Sequence, residues 1–201
     1  MIEGEGKAAL GRLEAAFGLE LSAEQKHRVR VYIEKLRQWN AHVNLTGIER
    51  VEEQLRLNFF EAFWAAREFL TEGVRLADVG TGAGFPGLAM KLYRPALEVT
   101  LIEPNYKKTV FLKETARALE LAVSVFAGKG EEFARWEEVD IAVFRALRVS
   151  RVLLERLAGP KMRLLLFEGQ DGLQDERVKV IRAVRVPLSE QRWVRLVELA
   201  R

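Results

Sequence analysis

The stretch Leu76-Ala77-Asp78-Val79-Gly80-Thr81-Gly82-Ala83-Gly84-Phe85-Pro86-Gly87 restricts the folds open to this chain more than any other. Four residues of strand type stop at Gly80, and glycines then occupy alternate positions through Gly84. A turn of that kind lets the backbone pass close to a ligand where a Cβ would be in the way. Pro86, with a preset φ and no N–H, suits the first turn of a helix. A second strand follows over residues 97–102 and ends in Glu103. The unit is strand, glycine turn, helix, strand. Glu103 falls where an acidic side chain accepts from the two hydroxyls of a ribose.

The spacing discriminates between nucleotides. A dinucleotide fingerprint reads G-x-G-x-x-G and faces a pyrophosphate with helix amides. Here the third glycine comes one position early, and the strand carries Asp78 near its end. A carboxylate at that mouth repels a diphosphate but attracts an ammonium or sulfonium group. The reading favours S-adenosylmethionine over NAD, with Asp78, Gly80, Gly82, Gly84 and Glu103 as cofactor-binding residues. A glycine turn that only lets strand and helix pack closely is the plainer alternative.

The rest of the chain alternates in the same manner. Helical periodicity is predicted over residues 7–17, 23–40 and 49–69; in the second helix Val29, Ile33, Leu36 and Trp39 recur on one face. Ser22 and Gln25 fit a capping box. Strands are predicted at residues 76–79, 99–103, 122–126, 141–144 and 163–167 with helical segments between them. A last antiparallel edge pair is expected at residues 184–187 and 193–198, and Gly159-Pro160 is read as a turn. The pattern gives an α/β fold with a mainly parallel, doubly wound Rossmann-like sheet over residues 73–201. An N-terminal helical extension over residues 1–72 joins it in one structural unit.

Composition removes several chemistries. With no cysteine, thiolate metal sites, disulfides and cysteine nucleophiles are excluded. His27 and His42 are the only histidines, so neither a histidine metal cluster nor a Ser-His-Asp triad is expected. No signal peptide or membrane-spanning run is seen, which predicts a cytoplasmic protein with no membrane or metal partner. The net charge of +3 is uneven. Residues 145–201 hold 13 Lys and Arg against 7 Asp and Glu, and the remainder hold 19 against 22. The basic third is either a nucleic-acid footprint or a set of solvated helix faces.

Ligands in such sheets bind outside the carboxyl ends of the strands. The third strand runs into Ala127-Gly128-Lys129-Gly130-Glu131-Glu132, where backbone groups and a carboxylate meet an adenine edge; Glu131 is otherwise an ordinary first-turn acid. Arg145 closes the fourth strand as a permanent cation that could pair with Glu131 or Asp78, or fix a substrate phosphate or base. Lys107 and Lys108 open a helix, where the dipole disfavours cations, so they point either to an external anion or to solvent.

These positions resemble the RsmG family, also called GidB or glucose-inhibited division protein B, from about Leu13 to Phe167. The resemblance is carried by Trp39-Asn40 with Asn44-Leu45-Thr46-Gly47 and by the run from Asp78 to Gly87. Tyr93-Arg94-Pro95, Lys107-Lys108 and Arg145-Ala146 also match. It implies a class I methyltransferase that transfers the methyl of S-adenosylmethionine to guanine N7 of small-subunit (16S) ribosomal RNA. By that similarity Gly80, Phe85, Gly130, Glu131 and Arg145 touch the cofactor. Asp78 and Arg145 would serve as catalytic residues through charge and positioning, because N7 has a free lone pair and needs no base. Lys107, Lys108, Arg148 and Arg151 would contact RNA phosphates. The substrate side departs from the family. Its usual His-x-x-Asp-Ser step reads Asn58-Phe59-Phe60-Glu61-Ala62, and its Lys-Gly after the fifth strand reads Glu168-Gly169. Its Arg-His near the end reads Arg192-Trp193, and an adenine-side Arg is Lys129. A different methyl acceptor, or an RNA-binding protein that keeps the pocket without turnover, therefore stand as alternative functions.

Overall fold

The computed structural model describes residues 5–146, 149–158 and 162–200. Seven strands form one sheet in the order β3-β2-β1-β4-β5-β7-β6. They are β1 (Arg75–Val79), β2 (Glu98–Glu103), β3 (Ser124–Ala127), β4 (Ile141–Arg145), β5 (Arg163–Glu168), β6 (Val178–Arg185) and β7 (Trp193–Leu199). Strands β1 to β5 pair in parallel, while β7 runs antiparallel to both β5 and β6. β1 is flanked by β2 on one side and β4 on the other, so the strand order reverses at its carboxyl end. That reversal opens the crevice in which this architecture takes ligands.

Helices α1 (Glu5–Phe17), α2 (Ala23–Asn40), α5 (Gly87–Tyr93) and α6 (Tyr106–Ala118) pack on one face. α2 starts with the expected capping box: Gln25 N donates to Ser22 Oγ, and Ser22 N donates to Gln25 Oε1. The long third helix is continuous but changes pitch, as α3 (Val51–Gln54), a π-helical segment (Leu55–Phe60) and α4 (Glu61–Phe69). The core on this face runs from Ala9 on α1 through Phe59 and Phe63 to Val194 and Leu196 on β7, so the leading helices and the sheet share buried contacts. α7 (Arg151–Leu157) and the aromatic pair Phe133 and Trp136 cover the other face of β1, β4 and β5.

The π segment is the site of the family's altered helix. Asn58 and Glu61 are both buried there, and Glu61 accepts a hydrogen bond from Arg192, which lies just before β7. The pair ties the helical extension to the last hairpin. Removal of one partner leaves the other charge without compensation. Arg192→Ala is expected to cost about 2–4 kcal/mol, toward the lower end of the range for breaking buried pairs because the arginine is a third exposed. A denaturant midpoint equal to that of the parent protein would remove the pair from the stabilising contacts.

Several expectations are corrected. The connection from β3 to β4, where a helical segment is expected, holds only two single 3-10 turns, Gly130–Glu132 and Trp136–Glu138. The sheet is therefore not wound by a helix at every crossover. β3 starts two residues later than predicted. β6 starts six residues earlier, because most of Val178–Arg185 is exposed and shows no buried periodicity. Gly159-Pro160 lies outside the described residues. No helix among the described residues is long and apolar enough to cross a membrane.

Candidate active site

The glycine turn is shaped by its own left-handed residues. Gly80, Gly82 and Gly84 have φ of 69°, 59° and 89°, a region that L side chains enter only with strain. Gly80 N and Thr81 N both donate to Ile102 O, which fastens the turn to β2. Asp78 is almost fully buried at the end of β1. Its Oδ2 accepts from the Thr81 hydroxyl at 2.5 Å and from Gly87 N at 2.7 Å. Strand, turn and the start of α5 thus converge on one carboxylate oxygen. A Cβ on Gly87 would sit 2.6 Å from Asp78 Cβ, so that helix can approach only as glycine. The other oxygen, Oδ1, is buried with no hydrogen-bond partner among the described residues.

Burial pushes the Asp78 carboxyl up to about 6, while the hydrogen bonds from Thr81 and Gly87 and the charge of Arg145 pull the other way. Arg145 ends β4 and is half-buried, and its Nη1 lies in the interior without an acceptor. Burial lowers its pKa, and the negative charge of Asp78 opposes that shift. It forms no ion pair with Asp78 or Glu131 among the described residues. Two buried polar atoms of opposite sign, one on β1 and one on β4, are therefore unsatisfied at the switch point. A group with both a positive and a negative end would satisfy them.

Glu103 is buried at the end of β2 and holds two backbone amides, Gly82 N on Oε2 and Asn105 N on Oε1, both at 2.9 Å. Each oxygen keeps one further lone pair for a hydroxyl. Gly130 is packed so closely that a Cβ would lie 3.0 Å from Val79 Cγ1 and from Leu153 Cδ2. Glu131 Oε1 accepts from Ser150 Oγ, and that hydrogen bond holds its carboxyl below the usual range. Ser150 in turn caps α7 by accepting from Leu153 N. The structure thus gathers Asp78, the glycine turn, Glu103, Gly130, Glu131 and Arg145 along the carboxyl ends of β1 to β4.

The basic residues are less uniform. Lys107 is exposed and Lys108 half-buried in the first turn of α6, which is capped by Asn105. Arg151 is turned to Glu155 at 3.1 Å. Arg148 lies outside the described residues.

One residue of the site escaped the sequence reading. Tyr32 of α2 is fully buried and donates its hydroxyl to Ala83 O at 2.6 Å. Its ring stacks on Phe85 at 5.0 Å and meets Phe59 of the π segment edge-on at 5.2 Å. The helical extension therefore grips the glycine turn directly. The only signal in the sequence was an aromatic beside the apolar stripe of α2, which reads as ordinary core.

Residues 25–184 match the family model of GidB, described as rRNA small subunit methyltransferase G. The chain belongs to the GidB family. It is similar to the ribosomal RNA small subunit methyltransferase G of Desulfitobacterium hafniense, with 38% identity over 157 residues. That match covers 75% of this chain and 65% of the relative. The protein of the same name from Chloroflexus aggregans is 35% identical over 182 residues, 85% of this chain and 75% of its own. This GidB chain therefore spans about two thirds of the length of such relatives. Solved structures agree on the fold. A SAM-dependent methyltransferase from Aquifex aeolicus has a TM-score of 0.56 at 21% identity, covering 72% of this chain and 92% of its own. A Pyrococcus abyssi tRNA (uracil-54, C5)-methyltransferase in complex with S-adenosyl-L-homocysteine gives 0.54 at 14%, covering 69% and 38%. The GidB chain therefore has the Rossmann-like methyltransferase fold.

Proposed function

We propose that this chain is an S-adenosylmethionine-dependent methyltransferase whose acceptor is guanine N7 of small-subunit ribosomal RNA. The reading rests above all on the switch point, where Asp78 Oδ1 and Arg145 Nη1 are buried without partners beside a glycine turn. The amino-acid part of the cofactor carries an ammonium and a carboxylate and matches that pair of charges. Glu103 would accept from the ribose through its free lone pairs, and Gly130 and Glu131 would meet the adenine. Gly80, Gly82, Gly84 and Phe85 would line the turn around it. When bound, the cofactor supplies a methyl on a sulfonium that a neutral lone pair can attack.

The chain's own contribution is then alignment and field. Guanine N7 needs no deprotonation, so the site requires no general base, and holding nucleophile and methyl in line is the main source of rate. Asp78 would add a negative charge close to the cationic cofactor, and Arg145 would organise the strand end next to the acceptor. Residues 1–72 would act as a helical extension that buttresses residues 73–201, through Tyr32 and the shared core, rather than as a separate domain. Lys107 and Lys108 would contact RNA phosphates at the same edge.

Isothermal titration with S-adenosylmethionine, and with NAD as control, tests the pocket. Transfer of labelled methyl to small-subunit RNA, with 7-methylguanine identified in the digest, tests the reaction. Cofactor binding and RNA binding without turnover would instead support the non-catalytic alternative. Replacing both Lys107 and Lys108 by alanine is expected to reduce the salt dependence of RNA binding by about two units of log K against log salt. An unchanged slope would remove both from the phosphate contacts.

A further inference from the structure

Glu168 is the charge reversal at the carboxyl end of β5, and the proposed activity makes no use of it. Its side chain is only 16% exposed, and Oε1 is buried with no hydrogen bond. Arg195 Nη1 stands 3.4 Å away. That guanidinium is already engaged by Gly169 O at 3.0 Å and Gln170 O at 2.8 Å. The loop after β5 is folded tightly onto the pair. Gly172 has φ of 65°, and a Cβ there would lie 2.8 Å from Arg195 Nη1 and 3.3 Å from Glu168 Oε1. Arg195 fixes the carboxylate in place while sharing its guanidinium with the two loop carbonyls, and Oε1 is left without a hydrogen bond of its own among the described residues. Burial raises the Glu168 carboxyl above its usual value, while the charge and hydrogen bonding of Arg195 and a backbone hydrogen bond from Leu173 oppose that.

This carboxylate forms part of the wall of a cavity of about 310 Å³ at the ends of β4 and β5. The remaining wall is Phe144, Val149, Leu166, Phe167 and Leu173, with Gly172. Such a pocket, apolar with two aromatic rings and one acceptor, suits a flat base held by stacking and a few polar contacts. Among the four RNA bases only guanine presents two adjacent donors, N1–H and N2–H, on its Watson–Crick edge. A carboxylate is their complement. Arg145 at the end of β4 pairs in register with Phe167, so Glu168 lies one strand, about 4.8 Å, beyond the strand that faces the switch point. N7 and the Watson–Crick edge lie on opposite sides of a purine. A guanine with N7 turned toward the end of β1 and β4 has N1 and N2 directed toward β5.

We infer that this cavity is the acceptor-base pocket and that Glu168 selects guanine by accepting from N1–H and N2–H. The inference rests on the proposed methyl transfer to guanine N7 and adds the group that reads the base. Where the family resemblance leads one to expect a lysine, this chain places an acceptor.

The test uses the full chain and a synthetic RNA fragment around the guanosine that wild-type protein methylates, with either guanosine or inosine at that position. Inosine keeps N7 and N1–H but lacks the 2-amino group. Wild type is expected to prefer guanosine by about tenfold or more in kcat/KM, the effect of one hydrogen bond to a charged acceptor. Glu168→Gln is expected to lose most of that preference while its affinity for S-adenosylmethionine stays as in wild type. A residue that merely stabilised the loop would lower activity on both fragments and leave their ratio unchanged. Equal rates on the two fragments with wild type, or the same ratio in Glu168→Gln, would overturn the inference while methyl transfer stands. Wild type that forms no 7-methylguanine on any small-subunit RNA would overturn the proposed activity and this inference with it. Should Glu168→Gln fail to fold, the same ratio is read from Glu168→Asp, whose shortened carboxylate is expected to weaken the preference for guanosine and whose unchanged ratio would overturn the inference.

Discussion

Gly84→Ala is expected to lower stability by about 3–6 kcal/mol and to abolish S-adenosylmethionine binding. Three costs act at that one atom. At φ of 89° an L side chain carries a backbone penalty of about 1–2 kcal/mol. The new Cβ would stand 2.2 Å from Tyr32 Oη, 3.0 Å from Leu88 Cβ and 3.1 Å from Leu112 Cδ2. Relief of that overpacking costs about 1–3 kcal/mol. Moving Tyr32 aside also breaks its hydrogen bond to Ala83 O, worth about 1 kcal/mol. For a chain of this size the total corresponds to a fall in melting temperature of about 10 °C. Gly82→Ala is the informative comparison, since its Cβ would meet nothing nearer than Gly80 O at 4.0 Å. It carries only the backbone penalty and should melt within a few degrees of the parent. Tyr32→Phe should cost about 1 kcal/mol and speed amide exchange in the turn. If Gly84→Ala melts with the parent protein, Tyr32 does not clamp the turn.

The contrast between those glycines shows what could be read from the chain and what could not. Glycine at alternate positions, an acid before them and an acid one unit later are local patterns. They gave the turn, Asp78 and Glu103 directly, along with the parallel character of the sheet, though not its strand order. Tyr32 was invisible because its meaning depends on a carbonyl 51 positions away in the chain. The π segment was read as uninterrupted helix, since one added residue per turn scarcely changes an apolar stripe. Its buried Asn58 and Glu61 looked like family residues lost, whereas Glu61 has its partner in Arg192. Helices are expected between the five parallel strands because such crossovers normally need them, and the β3 to β4 connection makes do with two 3-10 turns. The rule does not reach β6, which pairs with β7 in the antiparallel edge expected there, and both of β7's pairings are antiparallel. Glu168 was noticed only as a departure; the cavity beside it required the three-dimensional placement of β4, β5 and the following loop.

Affinity for S-adenosylmethionine is expected to weaken steeply below pH 6, and Asp78→Asn is expected to flatten that dependence. Burial holds the carboxyl at about 6 against a usual value of 3.8. Above pH 6 the group is ionised and attracts the cationic cofactor. Below it, binding must first expel a proton, so Kd rises by up to tenfold per pH unit. The stability of the free protein responds with the opposite sign. Below about pH 4 Asp78 is neutral in both folded and unfolded chains. Between about 4 and 6 the unfolded chain gives up a proton that the folded chain keeps, so stability falls by up to about 3 kcal/mol as pH rises. Above 6 both states are ionised and the contribution is constant. Asn keeps an oxygen for the Thr81 hydroxyl and Gly87 N, so the turn should persist while both slopes disappear. Titration calorimetry and thermal melts at pH 5, 6 and 7 on the two proteins measure both. A wild-type Kd that does not change across that range, or an Asn variant with the wild-type slope, would show that the proton is held elsewhere. Opposed slopes would mean that the buried charge on β1 is retained for the ligand at the expense of the fold, as expected for a strand end that has one oxygen bound to the turn and the other left open.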